Sequence, residues 1–238
     1  VSGLSKGLGG SMHLIDRSIG FGGSVPIVGA TIPIACGYAL SQKLKKKKEI
    51  SIAFFGDGAC EEGVFHETLN FSSVHNIPIL FVVENNLFSS HLDINLRQTS
   101  NRISRFAKVN NIKSETIDGN DILEVTKKSK LAIEFIKKNS KPFLLETITF
   151  RQLGHVGPNH DVDVGVKRNK KELINWIKNR DPLKTYENLL IRKKIINLDF
   201  IKKNKNKILN EIDNAVKFAI KSKYPNVQLM NKVLYNER

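Results

Sequence analysis

Two residues with hard oxygen ligands stand 29 positions apart, each just past an apolar run: Asp57, in Gly56-Asp57-Gly58, and Asn86, in Glu84-Asn85-Asn86. A carboxylate and an amide oxygen suit magnesium or calcium and are poor ligands for zinc. Gly56 and Gly58 let the backbone turn sharply and approach a ligand closely. The segment from about Cys60 reads as a helix, whose free N–H groups and positive dipole end can face an anion. Magnesium usually keeps phosphate oxygens among its six ligands, so two or three protein oxygens suffice. The chemistry these residues point to is the binding of a diphosphate through a metal ion.

The elements that position them follow from the apolar pattern. Runs at Ile50–Phe55, Ile77–Val83, Ile112–Ile117 and Pro142–Phe150 predict strands. Helical segments separate them, with predicted helices over Ala30–Lys43, Ile122–Lys138 and Leu198–Lys221. Strands alternating with helices predict an α/β fold with a doubly wound, mainly parallel sheet. In a parallel pair Asp57 and Asn86 fall together at the carboxyl ends, where open α/β sheets bind ligands. In the helix after Gly58, Phe65, Leu69 and Ser72/Ser73 are the expected packed face, and Glu61 and Glu62 are expected to turn away from a bound anion. Asp118-Gly119-Asn120-Asp121 reads as a turn and helix cap. Residues 1–190 are expected to form one α/β domain, with 191–238 a helical extension packed on it. The stripe Ile201, Ile208, Ile212, Ala215, Val216 and Ala219 of the last helix is expected to be core or interface.

The segments GLGGSMHLID, GDGACEEGVFHETLN, ENN, DGND and GHVGP occur in that order. This set resembles the alpha subunits of thiamine diphosphate-dependent 2-oxo acid dehydrogenases, the pyruvate, branched-chain and acetoin enzymes, over nearly the whole chain. The resemblance implies thiamine diphosphate and Mg2+ as cofactors and a thiamine diphosphate-binding fold. It places Gly56, Asp57, Gly58, Ala59 and Asn86 around the diphosphate, with Asp57, Asn86 and the Phe88 carbonyl as protein ligands to the metal. It also implies that the Pro26 carbonyl and the Val28 N–H bind the aminopyrimidine ring, with Ile27 as the bulky apolar residue beside it. Relatives often have Gly at position 26, and Pro keeps the carbonyl. His155 matches a histidine near the diphosphate and substrate, and is the candidate catalytic residue for stabilising charge or handling a proton. Regulatory serines of some relatives have no counterpart, because no Ser lies between Arg151 and Lys171.

The implied activity is oxidative decarboxylation of a 2-oxo acid, pyruvate first, with acyl transfer to a lipoyl-bearing acyltransferase. A beta subunit would complete an α2β2 heterotetramer and supply the cofactor-activating glutamate. The N-terminal helical region of family alpha subunits has no counterpart in Ser2–Ile19, so a fragment or a naturally short chain is expected. Two alternatives stand beside this reading: a thiamine-dependent lyase or transferase without a lipoyl partner, and a catalytically inactive binding subunit.

Composition sets bounds on this reading. Apolar residues make up 40% and charged residues 26%, as in globular proteins. No apolar run reaches the roughly 20 residues needed to cross a bilayer, and no signal segment is expected from the opening residues. A cytoplasmic protein without a membrane partner is expected. Two cysteines, Cys36 and Cys60, do not make a disulfide framework. The net charge of +15 raises nucleic-acid binding. Against it, the lysine clusters at 45–48, 127–130, 137–141, 167–171 and 202–207 lack interleaved aromatics, and no nucleic-acid partner is expected. His155, His160, Asp161 and Asp163 do not have zinc-ligand spacing, and His13 is given no chemical role.

Overall fold

The structure is a computed structural model and describes residues 3–229. The chain divides into two compact units, one of Ile27–Tyr186 and one of Val1–Pro26 with Glu187–Arg238.

The larger unit holds the expected sheet. Its strands are β1 (Ser51–Gly56), β2 (Ile79–Asn85), β5 (Lys113–Asp118) and β6 (Phe143–Ile148), in the order β1-β2-β6-β5, all parallel. A two-stranded antiparallel hairpin, β3 (Phe88–Ser89) with β4 (Leu92–Asp93), follows β2. The helices of this unit are α1 (Thr31–Leu44), α2 (Gly63–Val74), α3 (Ser104–Val109), α4 (Ile122–Asn139) and α5 (Lys170–Asn179). α6 (Pro182–Arg192) runs across the unit boundary.

Period-two alternation in β2 splits the core into two layers. Ile79, Phe81 and Val83 pack with Ile32 and Cys36 of α1, Phe65 and Leu69 of α2, and Ala107 of α3. Leu80 and Val82 face the other way, into a layer with Ala132 and Ile136 of α4 and Phe143 and Leu145 of β6. A strand buried on both faces reads as a continuous apolar run, as Ile77–Val83 does. β1 lies at the sheet edge and is covered on one face only: Ala53 and Phe55 are buried, while Ile52 and Phe54 are exposed.

Helix boundaries follow local chemistry. The Asp121 carboxylate accepts from the N–H groups of Leu123 and Glu124, so the expected cap starts α4. The helix predicted from about Cys60 begins later: Asp57–Glu61 forms a 3-10 turn, and α2 starts at Gly63. The phosphate-facing helix start expected at Cys60 is thus a tight 3-10 segment in which Asp57, Ala59 and Cys60 are buried. On α2 the predicted face holds, with Phe65, Leu69 and Ser72 buried and joined by Thr68.

In the smaller unit, an antiparallel bridge joins Asp16 to Phe21, and Asp16 caps a short 3-10 turn over Arg17–Ile19. α7 (Leu198–Lys221) has the predicted bounds, and its side chains at Ile208, Ile212 and Val216 are exposed. The residues after Leu229 of the expected C-terminal extension lie outside the described residues. Among the described residues no helix is long and apolar enough to cross a membrane.

Cys36 and Cys60 are free and buried, so neither forms a disulfide. Burial pushes the Cys36 thiol up to about 11. Burial, then the carboxylate of Asp57, pushes Cys60 well above the ordinary range. Since the folded values lie above the unfolded ones, this stabilisation is complete below about pH 9 and falls as pH rises past it. At pH 8 the native protein is expected to react with a thiol-specific reagent at neither cysteine, and at both once unfolded in urea. Native labelling of either thiol would contradict this burial.

Candidate functional site

The sheet register brings the two ligand-bearing loops together. Gly56 pairs with Glu84 across the parallel β1–β2 ladder, so Asp57 and Asn86 follow at neighbouring carboxyl ends. Strands there lie about 4.8 Å apart. Gly58 seals the approach: a Cβ on it would lie 2.3 Å from Ser89 Oγ and 2.8 Å from Ser89 Cβ. Glycine is required here for close packing of the two loops. Gly56 itself has an ordinary extended backbone (φ −82°), so the turn does not need its conformational freedom.

Asp57 is 1% exposed. Its Oδ2 accepts from Arg97 Nη2 at 2.5 Å, while its Oδ1 is buried with no hydrogen-bond partner. Arg97 also pairs with Glu61, and its Nε donates to the Leu92 carbonyl at 3.1 Å. Gln98 donates to the same Glu61 oxygen at 2.8 Å. The Glu61 charge, expected to turn away from an anion, is thus held by Arg97 and Gln98.

Asn85 and Asn86 each close a turn on themselves. The Asn85 side-chain oxygen accepts from Leu87 N, and that of Asn86 from Phe88 N. Leu87 is in the left-handed region (φ 67°), which is uncommon outside glycine and is fixed here by the Asn85 bond. Behind this turn lies Glu146, fully buried in β6. It accepts from Asn85 Nδ2 (2.8 Å), Ile103 N (2.9 Å), Ser104 N (3.0 Å) and Thr116 Oγ1 (3.0 Å).

A third loop leaves β6 at the same edge of the sheet. Asp161 is 2% exposed and is held by Arg151 at 2.8 Å and Arg168 at 2.9 Å. Arg151 also donates to the Ser90 carbonyl, and Arg168 lies 4.2 Å from the ring centres of both Phe88 and Phe150. Burial pushes the Arg168 guanidinium down, against the pull of Asp161. These contacts fasten the base of the loop to the Asn86–Ser90 turn. His160 Nδ1 lies 2.7 Å from the Gln152 carbonyl, and His155 is exposed.

The structure therefore brings Gly56, Asp57, Gly58, Asn86 and Phe88 together, with Ala59 buried beside them. Ile27 and Val28 are exposed in the segment that enters α1. In that segment a Cβ on Gly29 (φ 82°) would lie 3.3 Å from both Glu62 and Val64 at the start of α2. Pro26 belongs to the other compact unit. Sequence reasoning missed Arg97, Glu146 and the Asp161 clasp. Glu146 left one signal, an acidic residue inside the otherwise apolar run FLLETITF.

Asp57, Asn86 and the Phe88 carbonyl would make a hard, all-oxygen donor set, and the buried Asp57 Oδ1, which has no hydrogen-bond partner, fits a metal ligand. Among the described residues no group of three His, Cys, Asp or Glu side chains gathers as a metal cluster. A magnesium site here would rest on an amide and a carbonyl as well as one carboxylate.

A sequence profile described as "Dehydrogenase E1 component" matches residues 1–228. The chain belongs to this family. Membership implies the use of thiamine diphosphate. The alpha subunit of acetoin:2,6-dichlorophenolindophenol oxidoreductase from Bacillus subtilis is 35% identical over 94% of this chain and 66% of that protein. The pyruvate dehydrogenase E1 component subunit alpha of Rickettsia felis is 32% identical over 94% of this chain and 67% of its own. Its chloroplastic alpha-3 counterpart from Arabidopsis thaliana is 32% identical over 94% and 53%. The chain thus spans about two thirds of the bacterial relatives and about half of the plant one.

Removing Asp161 would leave two largely buried guanidinium groups without their counter-ion. Asp161→Ala is expected to destabilise the fold by about 3 kcal/mol and to speed limited proteolysis between Gln152 and Asn159. Unchanged cleavage in that loop would show that the clasp does not restrain it.

Proposed function

We propose that this chain is the diphosphate-binding, alpha-type subunit of a thiamine diphosphate- and Mg2+-dependent 2-oxo acid dehydrogenase acting on pyruvate. The observation behind this reading is the buried Asp57 carboxylate with one bare oxygen, set beside Asn86 by parallel-strand register. Asp57 Oδ1, the Asn86 amide oxygen and the Phe88 carbonyl would hold the metal. Gly58 and Ala59 would offer backbone to the diphosphate. Thiamine diphosphate, when bound, supplies the carbon centre on which decarboxylation takes place. The chain's own part is to hold the cofactor through the metal and to line its approach. His155, carried on the third loop that Asp161 clasps at its base, would steady developing charge or take a proton there. Pro26, Ile27 and Val28 would meet the aminopyrimidine end.

A beta-type subunit is the proposed partner. An open groove of about 640 Å³ between α1 and α2 supports this, with Leu40, Val64, Phe71 and Val74 in its lining. Phe71 and Val74 are exposed there, an apolar surface that an associating subunit would cover. A lipoyl-bearing acyltransferase as acceptor, an α2β2 stoichiometry and a cytoplasmic location complete the reading.

The test uses the full-length protein co-expressed with its beta-type partner. Reduction of an artificial electron acceptor is followed with pyruvate, branched-chain 2-oxo acids and acetoin. Turnover with pyruvate is expected to need both thiamine diphosphate and Mg2+, and to fall by about 100-fold or more in Asn86→Ala. Turnover with acetoin in place of pyruvate would reassign the substrate. A folded, partner-bound protein that turns over none of the three would overturn the enzymatic reading.

A further inference from the structure

The two oxygens of Asp57 are in sharply different states. Oδ2 is engaged by Arg97 at 2.5 Å, and Oδ1 is buried and bare. Arg97 is held firmly in that position. Its side chain is 6% exposed, its second Nη is on Glu61, and its Nε is on the Leu92 carbonyl. Glu61 is steadied in turn by Gln98, and Gln98 by Arg105 at 2.9 Å. The guanidinium fork is thus braced from several sides before it touches Asp57.

We infer that Arg97 is a positioning residue that limits Asp57 to one-oxygen coordination and so selects Mg2+ over Ca2+ at this site. The inference rests on the metal site proposed above. A cation bridging both Asp57 oxygens would come within a few ångströms of the fixed positive charge on Oδ2, where repulsion is strong at the low effective dielectric of a buried site. A cation on Oδ1 alone avoids it. Mg2+ tolerates this arrangement, because it takes six ligands in near-ideal octahedral geometry and usually binds few carboxylates. Ca2+ takes six to eight oxygens and commonly uses carboxylates through both. Denying the second oxygen therefore disfavours calcium more than magnesium. Arginine suits this task, because its planar fork is always charged and can grip two carboxylates at once.

The test is calorimetric titration of Mg2+ and of Ca2+ into the full-length protein with its partner subunit, at saturating thiamine diphosphate. The quantity read is the ratio of the two dissociation constants. Wild type is expected to prefer Mg2+. Arg97→Gln is expected to narrow the ratio by about tenfold, chiefly through tighter Ca2+ binding, and Arg97→Lys to keep most of the preference. Should Arg97→Gln fail to fold, Glu61→Gln loosens the fork while leaving Arg97 in place, and a smaller narrowing in the same direction is expected. Equal weakening of both metals, or an unchanged ratio, overturns the inference while leaving the metal site itself standing. A wild type that takes up neither metal with the cofactor overturns the site reading, and this inference with it.

Discussion

A carboxylate with no exposed surface, Glu146 in the interior strand β6, is the constraint from which the carboxyl edge of the sheet is built. An ionised group removed from water is strongly destabilising unless donors replace the lost hydration. Four donors do so here, from Asn85 on β2, from the Ile103 and Ser104 amides at the start of α3, and from Thr116 on β5. The two amides are groups a helix start would otherwise leave unpaired. One side chain therefore fixes three segments that are distant in sequence. The chain between Asn86 and Ile103 has to leave β2 and return to the same carboxylate, and that loop carries both Phe88 and Arg97.

Asp57 depends on this arrangement. Arg97 reaches it because the return segment is held down at Ile103 and Ser104. Asn86 is aimed because Asn85 is held from both ends, its amide nitrogen on Glu146 and its side-chain oxygen on Leu87 N. The left-handed backbone at Leu87 is the local cost of turning immediately beyond the strand. Gly58 then admits Ser89 where any side chain would collide. The same turn receives the third loop, through Arg151 on the Ser90 carbonyl and Arg168 against Phe88.

What the sequence made legible was governed by short-range periodicity. Apolar runs and their alternation with helices were enough to place four parallel strands, and direction in a parallel pair was enough to bring Asp57 beside Asn86. The start of α2 departs from the helix expected near Cys60, because Asp57–Glu61 has the composition of a helix opening yet winds as a tighter 3-10 turn that buries Asp57 and Cys60. Glu146 and Arg97 were not legible as site-builders, because their partners lie on distant elements. Glu146 meets Asn85 across 61 positions, and Arg97 meets Asp57 across 40. No local pattern encodes which of many arginines finds which carboxylate. α7 shows the opposite limit: its bounds followed from periodicity, while a stripe of exposed Ile208, Ile212 and Val216 says nothing in sequence about what it will face.

The excess positive charge of the chain and the ion pairs of the site come from different residues. Among the described residues, the pairs at the carboxyl edge of the sheet are made by Arg97, Arg151, Arg168 and Arg180. The lysine pairs at Lys184 and Lys207 lie on helix surfaces, where such contacts contribute little to stability, and that at Lys128 joins α4 to Glu115 of β5. This division follows from the ions themselves: a guanidinium is weakly hydrated and forks onto carboxylates, while an ammonium keeps its water. It also sets the charge of the site. Asp57 and Glu61 share the single guanidinium of Arg97, so these three groups together carry a net negative charge. The clasp at the same edge carries the opposite excess, the guanidinium groups of Arg151 and Arg168 on the single carboxylate of Asp161, with Arg168 Nη2 donating to the Asn86 carbonyl. On the proposed reading, a divalent cation on Oδ1 would offset the negative charge at Asp57 and so favour a diphosphate there.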